Sequence, residues 1–245
     1  MKKSGNFMKK VLLVIMIIFL TGCTKREDKL IMVTEAGFAP YEYYSDGKIV
    51  GVDVDIAKEI AKEMGKKLVV KDVAFDSIIH EVKSGKADMG VAGISYSEER
   101  AKQVDFSSNY TTSKQVIIVR KNSPISSKEE IKNKKISVQL GSVADMYVSE
   151  EYKQKNIIRQ KKYLASIQDL KDNKVECVVM DELPAKEMVK QNNDIRILND
   201  ILTEDTYGII VDKGNTELLN IINKVIERLK QEGKIDKYIL EHSSR

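Results

Sequence analysis

Strand-length apolar runs alternate with helix-length segments along this chain in two separate series, and that alternation restricts it to an α/β architecture. In the first series Leu30 to Thr34, Leu68 to Val73 and Asp88 to Ala92 read as strands, with Asp53 to Met64 and Asp76 to Ser84 as helices between them. The second series begins after Asn122-Ser123-Pro124. Its strands are Ile136 to Gln139, Ile157 to Gln160 and Cys177 to Met180, and the helices after them span Val143 to Glu151, Ile167 to Asn173 and Asp181 to Gln191. A third part opens with the strand Tyr207 to Val211 and ends on a helix over Glu217 to Glu232. There Leu218, Ile221, Ile222, Val225 and Leu229 recur at helical spacing and must lie on a core. The strands Gln115 to Val119 and Tyr207 to Val211 flank the middle series, so a separate middle lobe would be entered and left through them.

The first residues have the three-part layout of a secretory signal: Lys2, Lys3, Lys9 and Lys10, the apolar run Val11 to Leu20, then Thr21-Gly22-Cys23. Ten apolar residues in a helix rise only about 15 Å, roughly half a bilayer's hydrocarbon core, so this run does not span a membrane. Leu20-Thr21-Gly22-Cys23 resembles the lipobox of bacterial lipoproteins, which implies removal of residues 1–22 and lipidation of Cys23. An ordinary secretory leader with an incidental cysteine is the alternative.

That leader accounts for the apparent basic character. The whole chain has 41 basic and 37 acidic residues, net +4; without the four leader lysines the two signs balance at 37 each. Nothing then suggests attraction to nucleic acid. Cys177 is the one cysteine besides Cys23, and it lies in the apolar stretch Val175 to Met180, where it reads as a small buried hydrophobe. His80 and His242 stand in unrelated contexts, which leaves neither a His-rich metal site nor a nucleophile paired with histidine.

The segment Gly93-Ile94-Ser95-Tyr96-Ser97-Glu98-Glu99-Arg100 carries the most chemistry. It follows the apolar run Ala87 to Ala92 and leads into helix-forming residues Glu98 to Val104, so its hydroxyls fall at a strand-to-helix junction. Free backbone N–H groups and the helix dipole favour an anion there, and the Arg100 fork matches two carboxylate oxygens. The alternative is purely local: Ser95 or Ser97 as an N-cap, Glu98 completing a capping box with Ser95, and Arg100 as a solvated charge.

Phe38-Ala39-Pro40-Tyr41-Glu42-Tyr43, Asp46 to Ala57, Ala74-Phe75-Asp76-Ser77-Ile78-Ile79 and Ser84-Gly85-Lys86-Ala87-Asp88 follow one another in a familiar order. With Gly93 to Arg100, Val104-Asp105-Phe106-Ser107, Val138-Gln139-Leu140-Gly141-Ser142 and Val179-Met180-Asp181-Glu182, they span essentially the whole mature chain. In this the chain resembles the solute-binding proteins of amino-acid ABC transporters. The resemblance implies an α/β, two-lobed, periplasmic-binding-protein-like (type II) fold with two crossover hinge strands. It would divide the chain into a signal peptide (1–22), a lipid-anchored tether (23–29), lobe 1 (30–118 and 207–245) and lobe 2 (119–206).

The same resemblance assigns roles. Arg100 would grip the α-carboxylate of an amino acid, helped by Ser97. Ser95, with backbone carbonyls near Gly93, would hold the α-ammonium, and Asp181 from lobe 2 would supply its counter-charge; read alone, Asp181 is sooner an N-cap for the helix that follows, and the resemblance reverses that order. Phe38 and Phe75 would sandwich the ligand side chain. Glu35 and Gln139 would contact its end, which orders the ligands as basic or polar uncharged, then acidic or cystine-like; Glu35 could equally pair with a local lysine or face water. Val143 stands where many relatives carry a threonine, so either Ser142 substitutes or that contact is missing. The expected partners are a free polar or basic amino acid, an ABC permease with its ATPase, and the membrane through lipid on Cys23. No cofactor, metal or nucleic acid is expected, and the protein is expected to be a monomer that breaks no bond, outside a Gram-positive cell. Two rivals stay open: a secreted dehydratase of the same fold using Glu35 and Glu182, or a ligand-sensing surface lipoprotein.

Overall fold

The computed structural model describes residues 28–152 and 154–243, so the leader, Cys23 and most of the expected tether lie outside it. The chain opens with β1 (Lys29–Thr34), the small hairpin β2 (Tyr43–Ser45) and β3 (Lys48–Val50), and α1 (Val52–Glu63). It continues through β4 (Lys67–Asp72), α2 (Ile78–Lys83), β5 (Met89–Gly90), α3 (Glu98–Ala101) and β6 (Val104–Phe106). The long β7 (Thr111–Arg120) leads to β8 (Ile136–Gln139), α4 (Val143–Glu151), β9 (Ile157–Gln160), α5 (Tyr163–Lys171), β10 (Cys177–Asp181) and α6 (Glu182–Gln191). The chain returns along β11 (Ile195–Tyr207) to β12 (Ile210–Asp212), α7 (Thr216–Gln231) and α8 (Lys234–Ser243).

Two five-stranded sheets result, in the orders β4-β1-β5-β12-β6 and β11-β7-β10-β8-β9. Each has a parallel side built by strand-helix-strand crossovers and an antiparallel side built by the returning chain. In β7 the alternation has a visible purpose. Val116 and Ile118 pack into one core and Ile117 and Val119 into another, so the strand is apolar on both faces. On the first sheet, Ile56 and Ile60 of α1 and Ile222, Val225 and Leu229 of α7 share a core with Leu30 and Met32 of β1. α7 therefore lies on a core, as its periodicity requires. Cys177 is fully buried in β10, and burial pushes its thiol up to about 12, which makes it inert.

The crossing between the sheets differs in one place from the sequence reading. β7 pairs with β11 from Thr111↔Tyr207 to Arg120↔Ile195, and it is the thirteen-residue β11 that brings the chain back. The expected strand Tyr207 to Val211 is split: Tyr207 ends β11, and Ile210 already pairs with Gly90 and Phe106 in the first sheet. β11 escaped recognition because it is half-buried and rich in acidic residues, with register shifts near Ile201 that blur its alternation. Two further expectations are shortened. β5 keeps only Met89 and Gly90 of Asp88 to Ala92, and the helix at Glu98 stops at Ala101 because Val104 joins the first sheet opposite Asp212.

Candidate functional site

The loop between β5 and α3 is built by Gly93. Its φ of +53° and a Cβ position only 2.9 Å from the Phe38 ring leave no room for a side chain. Its N–H donates to Asp53 Oδ2 at 2.9 Å, which pins the loop to α1. Ser97 is the N-cap of α3, its hydroxyl accepting the Arg100 N–H at 3.2 Å, so the local reading holds for Ser97 and the hydroxyl does not line the pocket. Arg100 is another matter. It is buried, with its guanidinium 5.6 Å from the Phe75 ring centroid, Nη1 donating to Ser95 O at 2.6 Å and Nη2 to Gly141 O of the second lobe at 2.7 Å. Burial pulls its pKa down, opposed by the carboxylates of Asp205 and Asp181.

Asp181 faces the same space from the second lobe. It precedes α6 but makes no side-chain cap; its Oδ1 instead accepts Tyr207 Oη at 2.5 Å, Ser113 Oγ at 2.7 Å and Gln115 Nε2 at 2.8 Å. Burial, then the charge of Asp205, raise its pKa to about 7 against those three bonds. Asp205 on β11 was not anticipated. It accepts Ser95 Oγ at 2.6 Å and shares Gln115 Nε2, at 3.1 Å, with Asp181. A strand recognised over Ile195–Tyr207 would have put this residue beside β7.

At the opposite end Glu35 Oε2 accepts Gln139 Nε2 at 3.0 Å and Oε1 pairs with Lys162 Nζ at 3.1 Å, both from the second lobe. Lys162 also reaches Asp72 at 3.3 Å. Glu35 thus neither faces water nor pairs with a local lysine: it is buried and its lysine stands 127 positions away in the other lobe. Burial raises Glu35 against these bonds. Phe38 stacks on Tyr163 of α5, centroids 5.7 Å apart, while Phe75 lies against Arg100. Ser142 caps α4, accepting Asp145 N–H at 3.1 Å, with Tyr163 Oη 3.4 Å away. Below them Glu42 is fully buried with neither carboxyl oxygen hydrogen-bonded, and burial, then the charge of Asp53, holds it well above the usual carboxylate range.

One pocket between the lobes is lined by nine of the ten expected binding residues, all but Ser97, together with Glu42, Ala92, Val143 and Tyr163. The lobes meet so closely that the space open to the centre of a water molecule is about 10 Å³, room for about one water. Anything larger than water therefore fits only when the cross-lobe bonds from Arg100 to Gly141 and from Glu35 to Gln139 and Lys162 give way. What the pocket offers is a guanidinium fork, a buried carboxylate, and a separate acidic end about an aromatic stack. That is the charge pattern of a zwitterion with a polar or cationic side chain. Among the described residues no cluster of His, Cys, Asp and Glu could hold a metal ion, and no helix is long and apolar enough to cross a membrane.

The arginine-binding extracellular protein ArtP of Bacillus subtilis is 31% identical over 222 residues, covering 89% of this chain and 87% of its own. The amino-acid ABC transporter substrate-binding protein AbpA of Streptococcus pneumoniae, solved with L-arginine, superposes with a TM-score of 0.84 at 34% identity, over 88% of this chain and 94% of its own. An ancestral arginine-binding protein, solved with arginine and with glutamine, gives 0.83 at 40% identity over 88% and 98%. The profile of one family matches residues 30–242, and with it the two-lobed type II fold is accounted for: this chain belongs to the bacterial extracellular solute-binding proteins, family 3.

Proposed function

We propose that the protein captures a polar or basic L-amino acid, arginine first among them, between its lobes and delivers it to an ABC permease driven by a separate ATPase. One observation supports this above all: a buried guanidinium and a buried carboxylate face one pocket from different lobes. A zwitterion that touches both interacts more strongly with the closed arrangement than with an open one, and so shifts the population toward closure. The permease would read that shape. The moving bodies would be 30–118 with 207–245, and 119–206. The process is binding, with no bond broken.

Arginine comes first because of the acidic end. Glu35 and Asp72 carry two negative charges against the one positive charge of Lys162, leaving one for a cationic side chain to neutralise. The relatives named above point the same way. Calorimetric titration against all twenty amino acids tests the reading; tight one-to-one binding of one or a few supports it, and binding of none overturns it. Within the same experiment Glu35→Gln is expected to weaken arginine about tenfold relative to glutamine, a difference of about 1.4 kcal/mol. An unchanged ratio would remove Glu35 from the side-chain end.

The reading extends to the leader. Cleavage before Cys23 and lipidation there would tether the protein to the outer face of a Gram-positive membrane. Cys23→Ser should move it from the membrane fraction into the medium, because a protein without its acyl chains loses the bilayer's hold; retention at the membrane would refute the anchor.

A further inference from the structure

Asp205 lies outside every role given so far, yet it ties the returning strand to both lobes' contributions to the pocket. Its Oδ1 accepts the Ser95 hydroxyl at 2.6 Å, and Ser95 is buried and lines the pocket. A serine hydroxyl has one proton and two lone pairs. With that proton committed to Asp205, the oxygen can only accept from whatever enters. The other carboxylate oxygen of Asp205 takes Gln115 Nε2 at 3.1 Å, and the same nitrogen holds Asp181 Oδ1 at 2.8 Å. The register of β7 against β11 sets this up: Asp205 is opposite Ser113 and Thr203 opposite Gln115, and Ser113 bonds Asp181 at 2.7 Å.

We propose that Asp205 is a positioning residue for the ligand's α-ammonium: it turns Ser95 into an acceptor and, through Gln115, fixes the acceptor face of Asp181. The inference rests on the amino-acid reading above and deepens it by naming what makes one end of the pocket select an ammonium. An apolar or acceptor-only group there would leave two acceptors unpaired. The groups facing the two acids are Arg100 from α3, Tyr207 from β11, Tyr163 from α5, Tyr41 and Glu42. Burial keeps the phenols and Glu42 neutral, so Arg100 is the one facing charge that favours ionised Asp205.

The test compares wild type, Asp205→Ala and Asp205→Asn in calorimetric titrations with L-arginine and with 5-guanidinopentanoate, which keeps the side chain and carboxylate but has no ammonium. Asp205→Ala should weaken arginine about tenfold or more, as loss of hydrogen bonding to a charged group does. It should shift the des-amino analogue less than about threefold, and Asp205→Asn, which keeps an acceptor for Ser95, should recover most of the loss. Equal loss for both ligands, or no rescue by asparagine, overturns the proposal. If Asp205→Ala does not fold, the asparagine variant still decides through the protons released on binding, read from buffers of different ionisation heat. Removing the neighbouring negative charge should at least halve that number near pH 6.5, and an unchanged number overturns the proposal. Should wild type bind no amino acid, the reading of the preceding subsection falls, and carboxyl-carbon NMR titration of Asp181 in wild type and Asp205→Asn judges the coupling alone: an unshifted curve overturns it.

Discussion

Replacing Arg100 by alanine is expected to weaken amino-acid binding by about 2–5 kcal/mol, roughly 30- to 5,000-fold. The guanidinium is buried, and its fork is held by Phe75 on one face and by the Ser95 and Gly141 carbonyls at its two ends. In the proposed complex a ligand carboxylate would replace the Gly141 contact with a charged one, so truncation would leave a buried carboxylate with no cation. Arg100→Lys should recover little, because one ammonium cannot span two oxygens while keeping the bond to Ser95 O. The loss should appear in affinity and not in melting temperature of the ligand-free protein, since removing the side chain also removes its own desolvation cost. Titration of both variants within threefold of wild type would refute the assignment.

Binding should also weaken steeply in acid, by about 50-fold between pH 7 and pH 5, because an ammonium pairs with the carboxylate form of Asp181 and that group titrates at about 7. The effect on folding has the opposite sign. An aspartate near 3.9 in the unfolded chain and about 7 when folded binds more protons folded than unfolded. Ligand-free stability contributed by protonated Asp181 is therefore present in acid and lost as pH rises from about 4 through 7. Asp181→Asn should flatten both profiles and cost about 2–5 kcal/mol of affinity at pH 7, since Arg100 then faces the ligand without the opposite charge that completes the pair. Calorimetry across pH 5–8 and melting curves over the same range measure the two terms separately. A flat affinity profile in wild type would remove Asp181 from contact with the ammonium.

The parts of the fold that were legible are those with strong local pattern. α7 announced itself by five apolar residues at helical spacing, and β1, β8 and β10 by short apolar runs bounded by polar ones. β11 was missed because an edge strand with one wet face carries no such signal; its thirteen residues are held by pairing with β7, a partner about ninety positions away. Ser97 shows the limit from the other side. Its spacing fits a cap and a ligand hydroxyl equally well, and only the folded chain shows its oxygen accepting the Arg100 N–H.

The sequence by itself determined the α/β class, the two series of elements, and the chemical types at the site, because periodicity and residue identity are local properties. Tertiary structure alone decided which of those residues meet. Lys162 reaches Glu35, Tyr163 stacks on Phe38, and Asp205 accepts a hydrogen bond from the Ser95 hydroxyl, each across more than a hundred positions of chain. Such contacts follow from how two sheets twist and where β7 and β11 cross, and a side chain's charge state then follows from what those crossings bury. Asp181 reads as an ordinary helix cap in the chain and as a carboxylate near 7 in the fold, since burial and a second acid act only once the lobes have assembled.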